Sequence, residues 1–560
     1  MRFTNNLGIL GVRAICGPHV ITLAWDVGDA DWNAFTNGLV GFAIEKSELA
    51  DGVVAERMFL RGIKRFEDKD KGLAPGTPVP TSEHPVQGFQ WGDYAVRPGR
   101  QYRYRIVPAY GQPKLMELRD ASAVTIDAST TTPEQGKHAI YFNRGAAASQ
   151  AYAREFPDHP HPDETKPESA QMQWLSRGLY EALIAFIGRA TGPTFGLRGA
   201  FYEFRYPPVG RAFKKALGAG ADVKIFFDKP NYAAENQAMA DAAGLGAVCG
   251  QRGGVSAQKH NKFLVLLENH APVAVWTGST NISAGGIFGH SNVGHAVFDA
   301  TVAQPYLDYW NFVSADLEMK NEPLAKRDNQ ETPTPNGVPG PNTITTMFSP
   351  RAGTTLQWYA DRMNGAQELV CWTVAFDIAD VFANVLKQDN DVLRYMLKDK
   401  GGAGDTAITV DNDLLLAVGS RFGKDDLANF RAEALTGFNS VLYIHDKFLL
   451  VDPLGDDPLV ITGSANFSPT SMTRNDENML VIRGDTEVAD AYFGEFMRLF
   501  DHIYARYIIT RKLPNADTLT EAEKLASLKK QYLAPDNSWV ASHTLGFKKK
   551  RRQRFHGAWV

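Results

Sequence analysis

The spacing of apolar positions changes character at about residue 139. Before it, short apolar and aromatic runs alternate with loops of Gly, Pro and Asp: HVITLAW (His19 to Trp25), LVGFAIE (Leu39 to Glu45) and YRYRIVPAY (Tyr102 to Tyr110). No helical period separates them, so residues 1–128 are expected to form a small β-sandwich. From Ala139 the runs alternate between strand and helix periods. AIYFN, AFYEF and VKIFFD (Val223 to Asp228) read as strands. QWLSRGLYEALIAFIGRA reads as one amphipathic helix, and a second helix is expected around Val209 to Leu217. A stretch rich in Pro, Asn and charge, residues 321–343, has the composition of a linker. Beyond it the alternation resumes with ELVCWTVAF (Glu368 to Phe376) as a strand, DIADVFANVLKQ as a helix and AITVD as a strand. The pattern predicts an α/β fold in two lobes, 137–320 and 344–512, behind a β-sandwich, with a C-terminal segment at 513–560.

The two lobes are written to one template. KHNKFLVLLE begins at Lys259, and YIHDKFLLVD begins at Tyr443. His260 to Asn281 and His445 to Asn466 both span 21 positions; Lys262 to Ser279 and Lys447 to Ser464 both span 17. GSTNIS and GSANFS follow, and then matching helical stripes: Val302, Tyr306, Trp310, Val313, Leu317 and Val488, Tyr492, Phe496, Leu499, Ile503. Agreement in residue type, spacing and local period indicates an internal duplication, hence a pseudo-twofold pair of α/β lobes.

Side chains two apart on a strand share a face, so each lobe presents an imidazole beside an ammonium, and a hydroxyl beside an amide. Two such sets in one cleft suit a phosphodiester. The lysines offset its charge, and Ser and Asn donate to its oxygens. One histidine attacks phosphorus while the other protonates the leaving oxygen. No carboxylate cluster suggests a metal there, and no cofactor is expected.

HDKFLLVD, from His445 to Asp452, resembles the His-x-Lys-x4-Asp motif that the phospholipase D superfamily carries twice; GSANFS and NDENMLVI fit that family as well. The first copy departs, with Leu267 at the motif aspartate. The downstream carboxylate is Glu477, 32 positions after His445, and the first lobe has Asn292 at 32 positions after His260. The resemblance covers roughly residues 137–510. It implies a site between the lobes, a phosphohistidine intermediate and no metal. His260 would be the nucleophile and His445 the acid and base, with Lys262, Lys447 and Glu477 catalytic. Ser279, Asn281, Ser464 and Asn466 would hold the phosphate, and Asp452 would be structural. The implied activity is hydrolysis or transfer at a phospholipid or nucleic acid. In the N-terminal region VRPGRQYRYRIVPAYG resembles the late strand of a fibronectin type III domain, which would make Trp25 the early core tryptophan and the domain a binding or spacing module for a protein partner.

Composition narrows the rest. Over 560 residues, 44% hydrophobic and 22% charged is ordinary globular usage. A net charge of −4 provides no bulk attraction to polyanions, so any such affinity is local. The local candidate is the basic run Lys548 to Arg554, read as a solvated tail or as a contact for an anionic partner. Three cysteines, Cys16, Cys249 and Cys371, argue against a disulfide framework and for a cytoplasmic setting, with secretion left open. The opening MRFTNNLGILGVRAICG reads as a poor secretory signal. DHPHPDE, from Asp158, is read as a loop more than a metal site, and His290 and His295 as cleft neighbours or packing residues. The competing functional class is a module that grips phosphate without turnover.

Overall fold

A computed structural model of the chain describes residues 1–74, 76–145, 149–158, 162–253, 258–315, 334–375, 377–402, 405–408, 413–419, 444–512 and 532–557. It forms two compact units. One takes in residues 1–132 and the described residues from Asp490 onward; the other takes in the described residues from Pro133 to Ala489.

The first unit is a β-sandwich of two antiparallel sheets. One sheet runs Arg2–Leu7, Leu10–Cys16, Ile21–Val27, Gln90–Asp93 in spatial order. The other runs Leu115–Leu118, Gln101–Gln112, Leu39–Ala50, Val53–Phe59, and Val124–Ser129 also pairs with Gln101–Gln112. Alternating residues turn inward, and Trp25, Phe42, Tyr104 and Ile106 are fully buried between the sheets. Trp25 meets Phe42 edge to face at 5.3 Å.

The basic run is a helix, Gly546–His556, in the same unit. Its buried side is Arg552, Phe555 and His556. The Arg552 guanidinium pairs with buried Asp26, lies 3.3 Å from Asp29 and sits 4.0 Å above the Trp32 ring. Lys549 pairs with Asp29 at 2.7 Å. A solvated tail was one expectation for this run; instead the helix is held by a cation that the sandwich neutralises. Burial raises the Asp26 carboxyl to about 6 even beside Arg552.

The second unit contains both lobes, and their sheets repeat strand for strand. In the first lobe the order is His138–Phe142, Val293–Val297, Ala271–Gly278, Lys262–Glu268, Phe195–Phe201, Asp222–Asp228, Cys249–Arg252, with Glu134–Gln135 added at the edge. In the second it is Ile344–Ser349, Glu477–Arg483, Leu459–Gly463, Phe448–Val451, Leu369–Val374, Leu393–Lys398, Leu414–Val418. The sense of pairing is also the same, with two parallel pairs at one end and antiparallel pairs elsewhere. The duplication read from spacing is therefore a duplication of topology.

The stripe Val302, Tyr306, Trp310 and Val313 is buried on helix Ala300–Ser314, while Leu317 lies outside the described residues. The stripe from Val488 to Ile503 is buried on helix Thr486–Lys512. Tyr309 stacks on Phe348 of the second lobe at 4.4 Å, and its hydroxyl donates to the Ser349 carbonyl at 2.8 Å. These contacts join the lobes.

Two local expectations are corrected. QWLSRGLYEALIAFIGRA is two helices, Ala170–Ser176 and Leu179–Ile187. Arg177 at φ 50° and Gly178 at φ 94° break the run, and the Ser176 hydroxyl takes the Tyr180 N–H at 2.9 Å. AITVD is not a strand where described: Asp405–Ile408 is a helical turn, and the buried strand is the apolar run Leu414–Val418 just after it. The strand that follows helix Asp380–Leu386 and pairs with Leu369–Val374 is Leu393–Lys398, and Leu414–Val418 pairs with it in turn.

Arg552→Ala leaves the Asp26 carboxylate buried without a cation. It is expected to destabilise the sandwich by about 3 kcal/mol in urea unfolding. Adding Asp26→Asn, which keeps the side-chain oxygen that takes the Val27 N–H, should recover most of that loss.

Candidate active site

The two His-x-Lys motifs lie in the lead-in to matching strands, not within them. Lys262 opens its strand, and the Tyr202 N–H to the Asn261 carbonyl, 2.9 Å, extends the pairing by one step. In the second lobe the strand opens at Phe448, just after Lys447. His260, Lys262, His445 and Lys447 are all buried.

The glycine of each Gly-Ser-x-Asn-x-Ser allows the next feature. Gly278 has φ 127° and Gly463 has φ 158°, and a Cβ on either would sit 2.3 Å or 2.2 Å from the facing carbonyl, Val293 or Asn478. That approach lets the following serine bond the same strand twice. The Ser279 N–H donates to the Val293 carbonyl at 3.0 Å and its Oγ accepts the Val293 N–H at 3.0 Å. The Ser464 N–H donates to the Asn478 carbonyl at 2.9 Å and its Oγ accepts the Asn478 N–H at 3.0 Å.

Each serine then has one proton left, and it goes to the residue that holds a histidine. Ser279 Oγ donates to Asn292 Oδ1 at 2.8 Å, and Ser464 Oγ donates to Glu477 Oε2 at 2.6 Å. Glu477 Oε2 meets His260 Nδ1 at 2.9 Å; Asn292 Oδ1 meets His445 Nδ1 at 2.7 Å. The arrangement is crossed, since each acceptor serves the other lobe's imidazole. The middle residues of the motifs reach across as well. The Asn478 amide donates to Asn261 Oδ1 at 3.0 Å, and Ser279 Oγ lies 3.4 Å from Asp446 Oδ1.

Ser279 and Ser464 were expected on the phosphate. Their protons go to Asn292 and Glu477, the residues that meet the two imidazoles. Asn281 uses one amide proton on Glu203, at 2.9 Å, while its Oδ1 and that of Asn466 are buried with no hydrogen-bond partner among the described residues.

Asp452 accepts the backbone N–H groups of Gln367, Glu368 and Leu369 at 2.8, 2.8 and 2.9 Å, which ties down the start of the neighbouring strand. In the first lobe Leu267 is buried, and a backbone bond from the Asn269 N–H to the Thr194 carbonyl, 2.7 Å, makes the corresponding tie. The departure at Leu267 therefore removes no group from the histidines. His290 packs 5.1 Å from the His445 ring, tilted by 31°, as a cleft neighbour. His295 is buried against His138, ring nitrogens 2.9 Å apart, as a packing residue. His159 and His161 lie outside the described residues.

Sequence reasoning missed Tyr202 and Glu203. The Tyr202 ring is 4.8 Å from His260 and 5.1 Å from the Lys262 ammonium. Both follow strand Phe195–Phe201, and only its end-to-end pairing with Lys262 reveals their place.

Burial sets the electrostatics. It lowers Lys262 to about 8, and it lowers Lys447 well below its ordinary value, with the Lys262 charge adding to the second shift. His260 and His445 are both lowered by burial. Glu477 pulls His260 back up, whereas Lys447, His290, Lys262 and His260 push His445 further down and its Nδ1 meets a neutral amide. Buried carboxylates partly offset the burial of the two ammonium groups: Glu477, Glu203 and Asp228 act on Lys262, and Asp446, Glu477 and Asp399 act on Lys447.

The family described as "Cardiolipin synthase, PLD-like domain" matches residues 420–500. The mitochondrial cardiolipin hydrolase of Xenopus laevis is 36% identical over 94 residues, 17% of this chain and 41% of that protein. The chain thus spans about two fifths of that relative's length. Among solved structures, the phosphatidylserine synthase of Haemophilus influenzae is similar at 12% identity over 64% of this chain and 92% of that one, with a TM-score of 0.42. A phospholipase D family member, Nuc, from Salmonella typhimurium is similar at 18% identity over 29% of this chain and 95% of that one, with a TM-score of 0.21.

A lysine is charged below its pKa, so anion affinity should fall as pH rises through about 8. Sulfate does not change charge in this range. Its dissociation constant by calorimetry is expected to rise about tenfold from pH 7 to pH 9 through Lys262, and Lys262→Met should remove that component.

Proposed function

For this member of the phospholipase D superfamily, we propose a metal-independent phosphodiesterase that works through a covalent phosphohistidine. The observation that carries the reading is the crossed pairing of His260 with Glu477 and His445 with Asn292. Each Nδ1 is held, which leaves each Nε2 as the reacting nitrogen. Lys262, Lys447, Asn281 and Asn466 receive the phosphate.

His260 Nε2 attacks phosphorus, and the bond to the leaving oxygen breaks. His445 gives that oxygen its Nε2 proton. Glu477 holds the His260 Nδ1 proton and offsets the positive charge of the phosphorylated ring. His445, now neutral, takes a proton from water or an alcohol. That oxygen bonds phosphorus, and the P–N bond breaks. The asymmetry supports this order, because the ring that carries charge through the intermediate is the one with a carboxylate. His445 must cycle between charged and neutral, and a neutral amide favours neither form strongly. The bound anion supplies the field that charges it.

The test is turnover of a small chromogenic phosphodiester in EDTA. His260→Ala and His445→Ala are each expected to abolish it while circular dichroism stays unchanged; full activity in either sinks the reading. Anion binding with no turnover in the unaltered chain would instead favour the phosphate-gripping module. Glu477→Gln keeps the Nδ1 contact but removes the charge, and should lower kcat about 100-fold. A larger drop in the rate of phosphohistidine formation than in substrate affinity, read by rapid-quench labelling, would mark that residue's role.

A further inference from the structure

On the His260 side of the site a guanidinium sits over an aromatic ring. Arg205 Nε and Nη2 both bond one oxygen of buried Glu203, at 2.9 and 2.7 Å. The other Glu203 oxygen takes the Asn281 amide at 2.9 Å. Thus held, the guanidinium lies 5.0 Å from the centre of the Tyr232 ring, and 40% of the Arg205 side chain is exposed. Tyr232 meets Tyr202 edge to face at 5.1 Å, and Tyr202 meets His260 at 4.8 Å.

The backbone beneath is built to keep this stack beside the histidine. Asp228 takes the Lys259 N–H on one oxygen at 2.8 Å, and the N–H groups of Asn231 and Tyr232 on the other at 2.7 and 3.3 Å. One carboxylate therefore ties the loop of Tyr232 to the segment that delivers His260.

A planar cation with one face backed by a ring and an exposed outer side is a platform for a flat π system. Choline, ethanolamine and glycerol headgroups have no π face. A nucleobase has one, and it is free to stack only when it is not paired within a duplex. We propose that Arg205, backed by Tyr232, stacks a nucleobase next to the scissile phosphate, so that the substrate class is single-stranded nucleic acid. This rests on the phosphodiesterase reading above and deepens it.

The test measures fluorescence anisotropy of a labelled oligothymidylate and of an abasic strand of equal length. It is run in a His445→Ala background so that no strand is cut. The thymidylate is expected to bind about tenfold tighter than the abasic strand. Arg205→Lys keeps the charge and loses the plane, so it should bring that ratio near one and leave abasic affinity unchanged. Tyr232→Leu should reduce the ratio in the same way.

Equal binding of both strands, or a ratio that survives Arg205→Lys, overturns the platform. So does binding of phosphatidylcholine vesicles, weakened by Arg205→Lys, with no oligonucleotide binding. Cleavage of the small chromogenic diester with equal strand binding would remove the platform alone. A tenfold ratio without any diester cleavage would keep the platform and remove the phosphodiesterase reading.

Discussion

The second unit is organised around two hydrogen bonds that cross between its lobes, His260 to Glu477 and His445 to Asn292. Neither lobe holds its own histidine. Each imidazole is oriented by a residue that follows the other lobe's Gly-Ser strand, so a site exists only when both lobes are folded and in register. The supporting features follow from that demand. Gly278 and Gly463 let two strands approach to within a distance that a side chain would forbid. Ser279 and Ser464 use the approach to brace the acceptors. The stacked pair Tyr309 and Phe348 joins the lobes with apolar contact.

The cost of the arrangement is charge without water. Two lysines and two histidines are buried together, with the Glu477 carboxylate hydrogen-bonded to the His260 imidazole. In the resting site each ammonium donates to the backbone carbonyl of its own motif histidine. Those bonds satisfy the ammonium groups, and the buried carboxylates Glu477, Glu203, Asp228, Asp446 and Asp399 offset part of their charge. In the proposed reaction a phosphodiester would meet these two ammonium groups where the transition state concentrates negative charge.

The first lobe's departures become intelligible in these terms. Leu267 stands where the second lobe has an aspartate, but that aspartate binds three backbone N–H groups at a strand start, a task the first lobe meets with a backbone bond. Asn292 stands where the second lobe has a glutamate, and there the change does reach the chemistry. It leaves the two histidines in unlike fields, one beside a carboxylate and one beside an amide. Two copies of one motif are free to take different roles for that reason.

The duplication was legible in the sequence because a repeated strand order must repeat its spacing, and 21 and 17 positions recur in both lobes. The α/β alternation, the sandwich before it and the clustering of His260, Lys262, His445 and Lys447 follow from local period and residue type. The helix break at Arg177 and the displaced strand at Leu414–Val418 were not legible, because they depend on which run wins a buried position. The basic run at Lys548 reads as a tail by composition, and only the buried Asp26 makes it a docked helix. Spacing also cannot say which lobe a side chain serves. Glu477 lies 32 positions from His445 and yet bonds His260, because the pseudo-twofold axis brings the strand end of one lobe to the motif of the other. The sequence by itself determined which groups the site contains. The tertiary structure alone decided how they pair, since pairing is a distance across the axis and not along the chain.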